Sequence, residues 1–236
     1  MSFFHGKSSR VYLNGNPMSS YMDNVGVNMS ADTVETTTFI DTAKKYIMGL
    51  DNTVLTAEGF GAGSTGEIDQ YLQDAISTSG NDIWQWYPSE TVGMGGYGIS
   101  GNNTQYDIKS SISGAVRIAA TCQSNFGKES ITCIRPLAVA TASSSGASLN
   151  NTGKSTNGGA GYLYVSATNT SDAAIVIDHS SDGSSWETVA TFAAAQIGAS
   201  AQRVAITGEV RQYVKASCTL TTSCTFGVAL NRSSQT

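Results

Sequence analysis

Charge is scarce in this chain: only 13 % of its 236 residues are Asp, Glu, Lys or Arg, 13 basic against 18 acidic. A protein that grips nucleic-acid phosphates needs clustered Lys and Arg. The net charge of −5 therefore argues against an electrostatic hold on DNA or RNA, though not against a surface that repels it. Long apolar runs are missing too. None approaches the ~20 residues of a membrane-spanning helix, and MSFFHGKSSR lacks the apolar core of a secretory leader. The expectation is a chain made and folded in a cytoplasm, with no membrane partner. Proline is rare, at three residues, while glycine reaches 25. With Ser, Thr and Asn filling most polar positions between short β-branched runs, this composition points to an all-β protein rich in turns.

Four cysteines are too few for a disulfide scaffold at this length. Their placement is still informative. Cys122 and Cys133 are symmetric about Gly127-Lys128, and Cys218 and Cys224 about Leu220-Thr221-Thr222, so each pair is spaced to face across a hairpin. In a reducing compartment the favoured reading is reduced, buried cysteines acting as small hydrophobes. Zinc is not expected, because neither His5 nor His179 completes a ligand spacing.

Period-two patterning dominates the first half. Val25, Val27, Met29 and Ala31 fall on one side of a strand, and Asn28, Ser30 and Asp32 on the other. The run VETTTF prolongs it. KKYIMGLDNTVLTAEGF reads as a second long strand, bulged or bent near Gly49, and TFIDTAKK between them as a protruding loop. One helix is expected over 65–79, with Ser64 and Glu67 as capping box, Ile68, Tyr71, Leu72, Ala75 and Ile76 as apolar face, and Gly80 as terminator. Asp69 and Asp74 fall on its solvated side. IWQWY, YDIKSSIS, AVRIAATCQS and ESITCIRPL supply further strands. Residues 140–159, small, polar and free of aromatics, read as a linker or long loop. Beyond it, six short strands in about 75 residues predict a compact β-sandwich. The expected organisation is thus a β domain over 1–139, a Ser/Gly/Asn-rich segment over 140–159 and a sandwich over 160–236.

Catalytic signals are weak. Gly93-Met94-Gly95-Gly96-Tyr97-Gly98 matches the G-x-G-x-x-G dinucleotide pattern, but ISGNNTQYD is no helix and no βαβ unit surrounds it, so a glycine-rich loop is preferred. Asp178, His179 and Ser180 are adjacent, and neighbouring strand residues point to opposite faces, which disfavours a triad and leaves a surface histidine. No acid sits in an evident apolar pocket. Trp84 and Trp86 share a strand face, and Trp186 follows a Ser-Asp-Gly turn; core packing is preferred to a sugar platform for all three. No enzyme activity and no cofactor are expected.

Residues 1–138, and above all RVYLNGNPMSSYMDNVGVNMSADTVETTTFIDTAKKYIMGLDNTVLTAEGF, resemble the major tail tube proteins of long-tailed bacteriophages. Residues 160–234 resemble, more distantly, an accessory sandwich appended to phage structural proteins. The resemblance implies a tail-tube-type domain of two sheets with one short flanking helix, followed by a second small β-sandwich. It implies hexameric rings stacked into a tube in the virion tail, with transient, non-specific passage of DNA. Other tail proteins (baseplate or tip, tape measure, terminator, and sheath if contractile) are the implied partners. Asn28, Ser30, Asp32, Glu35 and Glu58 would line the lumen. Phe39, Asp41, Lys44 and Lys45 would reach a neighbouring subunit or ring, the lysines meeting acids there. Up to about residue 145 eight basic residues face thirteen acidic ones, and beyond it five face five. A ring of six would then carry on the order of 30 negative charges and repel its cargo. The competing readings are a carbohydrate-binding or surface-attachment sandwich and a capsid decoration protein.

Overall fold

The computed structural model describes residues 6–77, 81–168, 173–194 and 198–232. His5 and the helix-ending role of Gly80 lie outside the described residues. The strands in chain order are β1 (Arg10–Leu13), β2 (Asn16–Pro17), β3 (Met22–Glu35), β4 (Tyr46–Phe60), β5 (Asp82–Tyr87), β6 (Gly95–Lys109), β7 (Arg117–Ser124) and β8 (Ser130–Ala140). They continue as β9 (Ser144–Ser145), β10 (Leu149–Asn150), β11 (Gly159–Thr168), β12 (Ala174–Ser180), β13 (Glu187–Thr191), β14 (Ser200–Ile206), β15 (Tyr213–Thr219) and β16 (Cys224–Arg232). Among the described residues α1 (Ile68–Ser77) is the one α-helix, and every recorded strand pairing is antiparallel, so the fold is all-β. No helix among the described residues is long and apolar enough to cross a membrane.

By contacts the chain divides into two units that do not follow chain order. One comprises Met1–Ser20, Asp82–Gly98 and Glu129–Thr236, the other Tyr21–Asn81 and Ile99–Lys128.

The first unit holds a sandwich. One sheet runs β14-β11-β16-β8, then the opening residues of β6, then β5, β1 and β2; the other runs β10-β15-β12-β13, with β9 also on β15. Leu163, Val165, Phe226 and Val228 from the first sheet meet Ile175, Ile177, Val214 and Ala216 from the second in a dry core. All six strands expected after residue 160 are present as β11 to β16, dealt between the two sheets. The segment 140–159, read from composition as a linker, carries β9, β10 and a bridge from Ser155 to Val210. Pairing to β15 uses its backbone, which a small polar composition does not advertise.

β11 is buried on both faces, hence its unbroken YLYV. Leu163 and Val165 enter the sandwich, while Tyr162 and Tyr164 join Tyr12, Tyr87, Ile131 and Cys133 on the far side. Gly95, Gly96 and Gly98 of the dinucleotide-like pattern open β6, while Gly93 sits in the turn before it at φ +86°. A Cβ on Gly96 would lie 2.5 Å from the Trp86 carbonyl oxygen, and one on Gly98 2.7 Å from the Tyr162 ring, so close packing excludes a side chain there.

In the second unit β3, β4, β7 and residues 101–109 of β6 form a four-stranded antiparallel sheet in that order. The Ser64–Glu67 capping interaction exists, with the Ser64 amide donating to Glu67 Oε2 at 2.9 Å. The helix nevertheless starts at Ile68, not 65, because Gly66 takes φ +80° and keeps that stretch a turn. Ile68, Leu72 and Ala75 are buried, whereas Ile76 is exposed. Asp69 is not merely solvated: it accepts from the Tyr106 hydroxyl and from Gln73.

Candidate assembly surface

Directly opposed residues on antiparallel strands share a face, so the register of the second unit assigns its two faces row by row. On one face Leu55 opposes Val27 and Cys122, and Ala57 opposes Val25 and Ala120, while Tyr106 opposes Ala120 and Ile108 opposes Ile118. Leu55, Ala57, Ile118, Ala120 and Cys122 are buried. Tyr106, on this face, donates to Asp69 of α1, which places the helix over it.

The other face is mostly polar on all four strands, with Val54, Phe60 and Ala119 as its apolar members. β3 gives Asn24, Asn28, Ser30 and Asp32; β4 gives Asn52, Thr56 and Glu58; β7 gives Arg117, Thr121 and Gln123; β6 gives Asn102, Gln105, Asp107 and Lys109. Amide side chains bridge neighbours along it. Gln123 donates to Asn52 and Asn24 to Glu58, each at 3.3 Å, and Gln105 donates to Asp107 at 2.7 Å. Its charges gather at one end, where Glu58, Asp107, Lys109 and Arg117 line a shallow depression with Ile118 and Ala119, about 250 Å³ in volume. Arg117 also holds Asp23, which together with the carboxylate of Glu58 raises the guanidinium pKa. With Asp32 the face carries three acids against two bases in its rows. Most of the acidic excess expected for a lumen therefore lies elsewhere in the chain.

Four of the five residues expected to line a lumen, Asn28, Ser30, Asp32 and Glu58, share this face; Glu35 opposes Tyr46 on the other one. The bulge expected near Gly49 is present. Asp32 stands opposite Gly49 and Leu50 between the rungs Ala31–Asp51 and Thr33–Met48, and a Cβ on Gly49 would be 3.2 Å from that of Asp32.

Beyond the last rung to β7, at Val54–Gln123, β3 and β4 continue as a two-stranded arm. Its tip is tied by its own side chains. Asp41 accepts from the Thr38 amide at 2.7 Å and hydroxyl at 2.9 Å, and with the Lys45 ammonium these bonds hold its carboxyl below the usual range. Lys44 pairs with Glu35 at 3.1 Å and Lys45 with Asp41, so within one chain both lysines already have acids. Phe39 and its neighbour Ile40 are fully exposed.

The cysteines do not face each other across hairpins. Cys122 opposes Leu55 and Asn103, and Cys133 opposes Ala229, because β7 pairs with β4 and β6 while β8 pairs with β16. Cys218 lies on β15 and Cys224 on β16, in different sheets. All four are buried, and burial pushes the Cys133 thiol up to about 12.

Elsewhere in the first unit polar groups serve the fold. Glu90 takes hydrogen bonds from the Tyr12 and Tyr164 hydroxyls and from the Leu137 amide at 2.6 Å. Glu129 takes one from Tyr162 and two from Arg203, at 2.7 and 2.6 Å. Burial raises the pKa of each of these tyrosines, and the carboxylates add to it. His179 is buried, not superficial as expected, and its Nδ1 accepts the Arg211 amide. Trp84 is buried in the core, as expected. Trp86 is half-buried and stacks on Tyr97, and Trp186 is half-buried beneath the Lys215 ammonium, 4.2 Å from its ring centroid. Among the described residues no group of three or more His, Cys, Asp or Glu is placed to hold a metal ion.

The contributions of β6 and β7 to the polar face were not singled out from sequence. Their signal is the alternation in NNTQYDIK and RIAATCQS, once both are known to border the same sheet.

No protein-family profile matches the chain, and no curated protein matches it in sequence. Solved structures overlap it at low identity. A chain of the virion of a native gene transfer agent particle is 13 % identical over 51 % of this chain and 92 % of its own, at a TM-score of 0.43. The SPP1 Dit protein is 10 % identical over 94 % and 98 %, at 0.39. A chain of the phage p2 baseplate in its activated conformation is 8 % identical over 96 % and 98 %, at 0.35. Overlaps at these identities and TM-scores do not establish a common fold.

Proposed function

We propose that the chain is a structural subunit of a phage tail that assembles with copies of itself into stacked rings forming a tube for DNA. The observation that carries this reading is the four-stranded sheet of the second unit, with one face made mostly of amides, hydroxyls and charges, the other mostly apolar, and β3 and β6 as its outer strands. In the antiparallel order β3-β4-β7-β6 the two outer strands run in opposite directions. The β6 of one copy is therefore oriented to pair antiparallel with the β3 of the next. Edge strands left open are a pairing hazard, and a head-to-tail contact repeated about an axis closes into a ring that removes them. The polar face then lines the bore, where amides and a small charge excess let DNA pass without gripping it. The number six, the stacking and the tail partners come from the sequence resemblance. The chain acts in the virion, without catalysis or cofactor.

Cysteine pairs scanned along residues 26–32 of β3 and 102–108 of β6, oxidised in concentrated protein, test the joint. A ladder of covalent oligomers ending in a closed ring is the expected product. Particles that form without any intermolecular β3–β6 disulfide would contradict it.

A further inference from the structure

Residues 141–158 join the end of β8 to the start of β11 and lie along the edge of β15 that β12 leaves open. Their hold is almost entirely backbone. The amides of Gly146, Asn151, Ser155 and Gly158 donate to the carbonyl oxygens of Ala216, Gln212, Val210 and Gly208 at 2.7–3.0 Å. The row they meet is apolar and buried in the sandwich core: Val210, Val214, Ala216 and Cys218. The residues set against that row are mostly not apolar. Ser144 opposes Cys218, Gly146 meets Ala216, Leu149 opposes Val214 and Ser155 opposes Val210, so one apolar side chain serves four core-facing positions. Among residues 141–157 only Ser155 is buried. Its hydroxyl meets no hydrogen-bond partner among the described residues, and neither does the buried Nδ2 of Asn151. Thr152 takes φ +61°, in the left-handed region that a β-branched residue rarely adopts. A strand that completes a core brings a period-two apolar row; this one brings hydrogen bonds and a single leucine.

We infer that the edge of β15 is a docking site for an extended segment of a second protein, apolar at alternate positions, and that residues 141–158 keep its place in the free chain. In strand addition the main-chain hydrogen bonds supply affinity whatever the sequence, and alternate side chains supply the choice of partner. An incoming strand replaces the backbone bonds of the displaced segment. It also puts apolar groups where Ser144 and Ser155 now stand, and releases the strain at Thr152 and the burial of two unpartnered polar atoms. The row favours small side chains. Val210, Val214, Ala216 and Cys218 are themselves small, and a Cβ on Gly146 would lie 3.1 Å from the Ala216 carbonyl oxygen. The fitting segment therefore carries valine- or alanine-sized groups rather than aromatics. A second copy of this chain is disfavoured as the donor, because its own residues 141–158 would bring the same serines and the same strain. Displacement leaves the larger sheet intact, since β8 and β11 are each paired with β16.

Ser145 and Ser217 oppose each other with their hydroxyls 3.1 Å apart, so Ser145→Cys with Ser217→Cys allows a disulfide that fastens the segment to β15. The probe is a labelled synthetic peptide of residues 142–157 carrying Ser144→Val, Thr152→Gly and Ser155→Val. By fluorescence anisotropy it is expected to bind the native chain and the reduced double variant alike, and the oxidised double variant about tenfold more weakly or less. The peptide of unaltered sequence should bind the native chain about tenfold more weakly than the altered one. Binding that is indifferent to the disulfide would overturn the inference, because the peptide then sits elsewhere. Equal binding of the two peptides would overturn it in favour of strand exchange between copies of this chain. Hydrogen exchange reads the same opening without a peptide: the amides of Gly146, Asn151 and Ser155 should exchange about a hundredfold faster than those of β12. Equal protection, or no binding of the altered peptide to the native chain, would make residues 141–158 a permanent guard of the edge and overturn the inference.

Discussion

Glu58 and Asp107 flank Ala119 in one cross-strand row, and Phe60, Arg117 and Lys109 form a row two residues further along the same face. Acid and base therefore sit one step apart at one end of a sheet whose remaining polar rows are amides and hydroxyls, with Asp32 in the bulge beyond them. Such a face offers a passing polyanion neither a ladder of cations nor a strongly repulsive wall.

Changing both acids to lysine tests that balance. Glu58→Lys with Asp107→Lys converts the row into a cationic patch beside Arg117 and Lys109. The native protein is expected to show no DNA retardation at physiological salt. The double variant is expected to bind DNA with a log–log salt slope about two units steeper, one for each phosphate neutralised. Electrophoretic mobility shift across a salt series measures both, and an unchanged slope would mean that DNA does not reach this face.

Arg203 and Glu129 form a two-point ion pair with side chains only 14 % and 8 % exposed. Removing one partner strands the other charge away from water. Arg203→Met is expected to destabilise the first unit by about 3–5 kcal/mol, read as a lower urea midpoint. The double variant with Glu129→Gln should recover part of the loss. A single variant as stable as the native chain would show that the pair is solvated in solution.

Gly96 has the Trp86 carbonyl where its Cβ would go. Gly96→Ala is expected to cost about 1–3 kcal/mol of overpacking strain. Nucleotides should neither stabilise the native protein nor rescue the variant in thermal melts, since the glycines serve packing.

His179 links stability to pH. Burial, and then the nearby Arg211, lower its pKa from its ordinary value of 6.5, outweighing the opposite pull of Glu187, Glu209 and Asp178. The neutral ring is the folded form, in which Nδ1 accepts the Arg211 amide. The unfolded chain therefore binds the extra proton first. Stability contributed by this group is complete above pH 6.5 and declines as pH falls through the lower folded value. Denaturant midpoints of native protein and His179→Gln, compared from pH 7.5 to 5, should diverge, with the native chain losing more. Parallel curves would remove His179 as the cause.

Much of this was legible from period two alone. The split of Val25, Val27, Met29 and Ala31 from Asn28, Ser30 and Asp32, and the bulge near Gly49, follow from local pattern and appear in the register. Glu35 escapes the polar set because it lies an odd number of residues from Asp32. What sequence did not convey depends on distant partners. β9 and β10 became visible only as partners of β15, and β6 serves one unit with its opening residues and the other with its remainder. The hairpin expected around Gly127 failed for the same reason: β8 finds β16, nearly a hundred residues away, and not β7. The exposed apolar arm was missed because Tyr46, Ile47 and Met48 read as an ordinary strand until the sheet beside them was seen to stop short.

Self-assembly is decided by negative-stain electron microscopy of the purified, concentrated protein. Rings, or hollow tubes with a regular axial repeat, are expected. A field of isolated small particles at every concentration, matched by a monomeric mass in sedimentation, would contradict it.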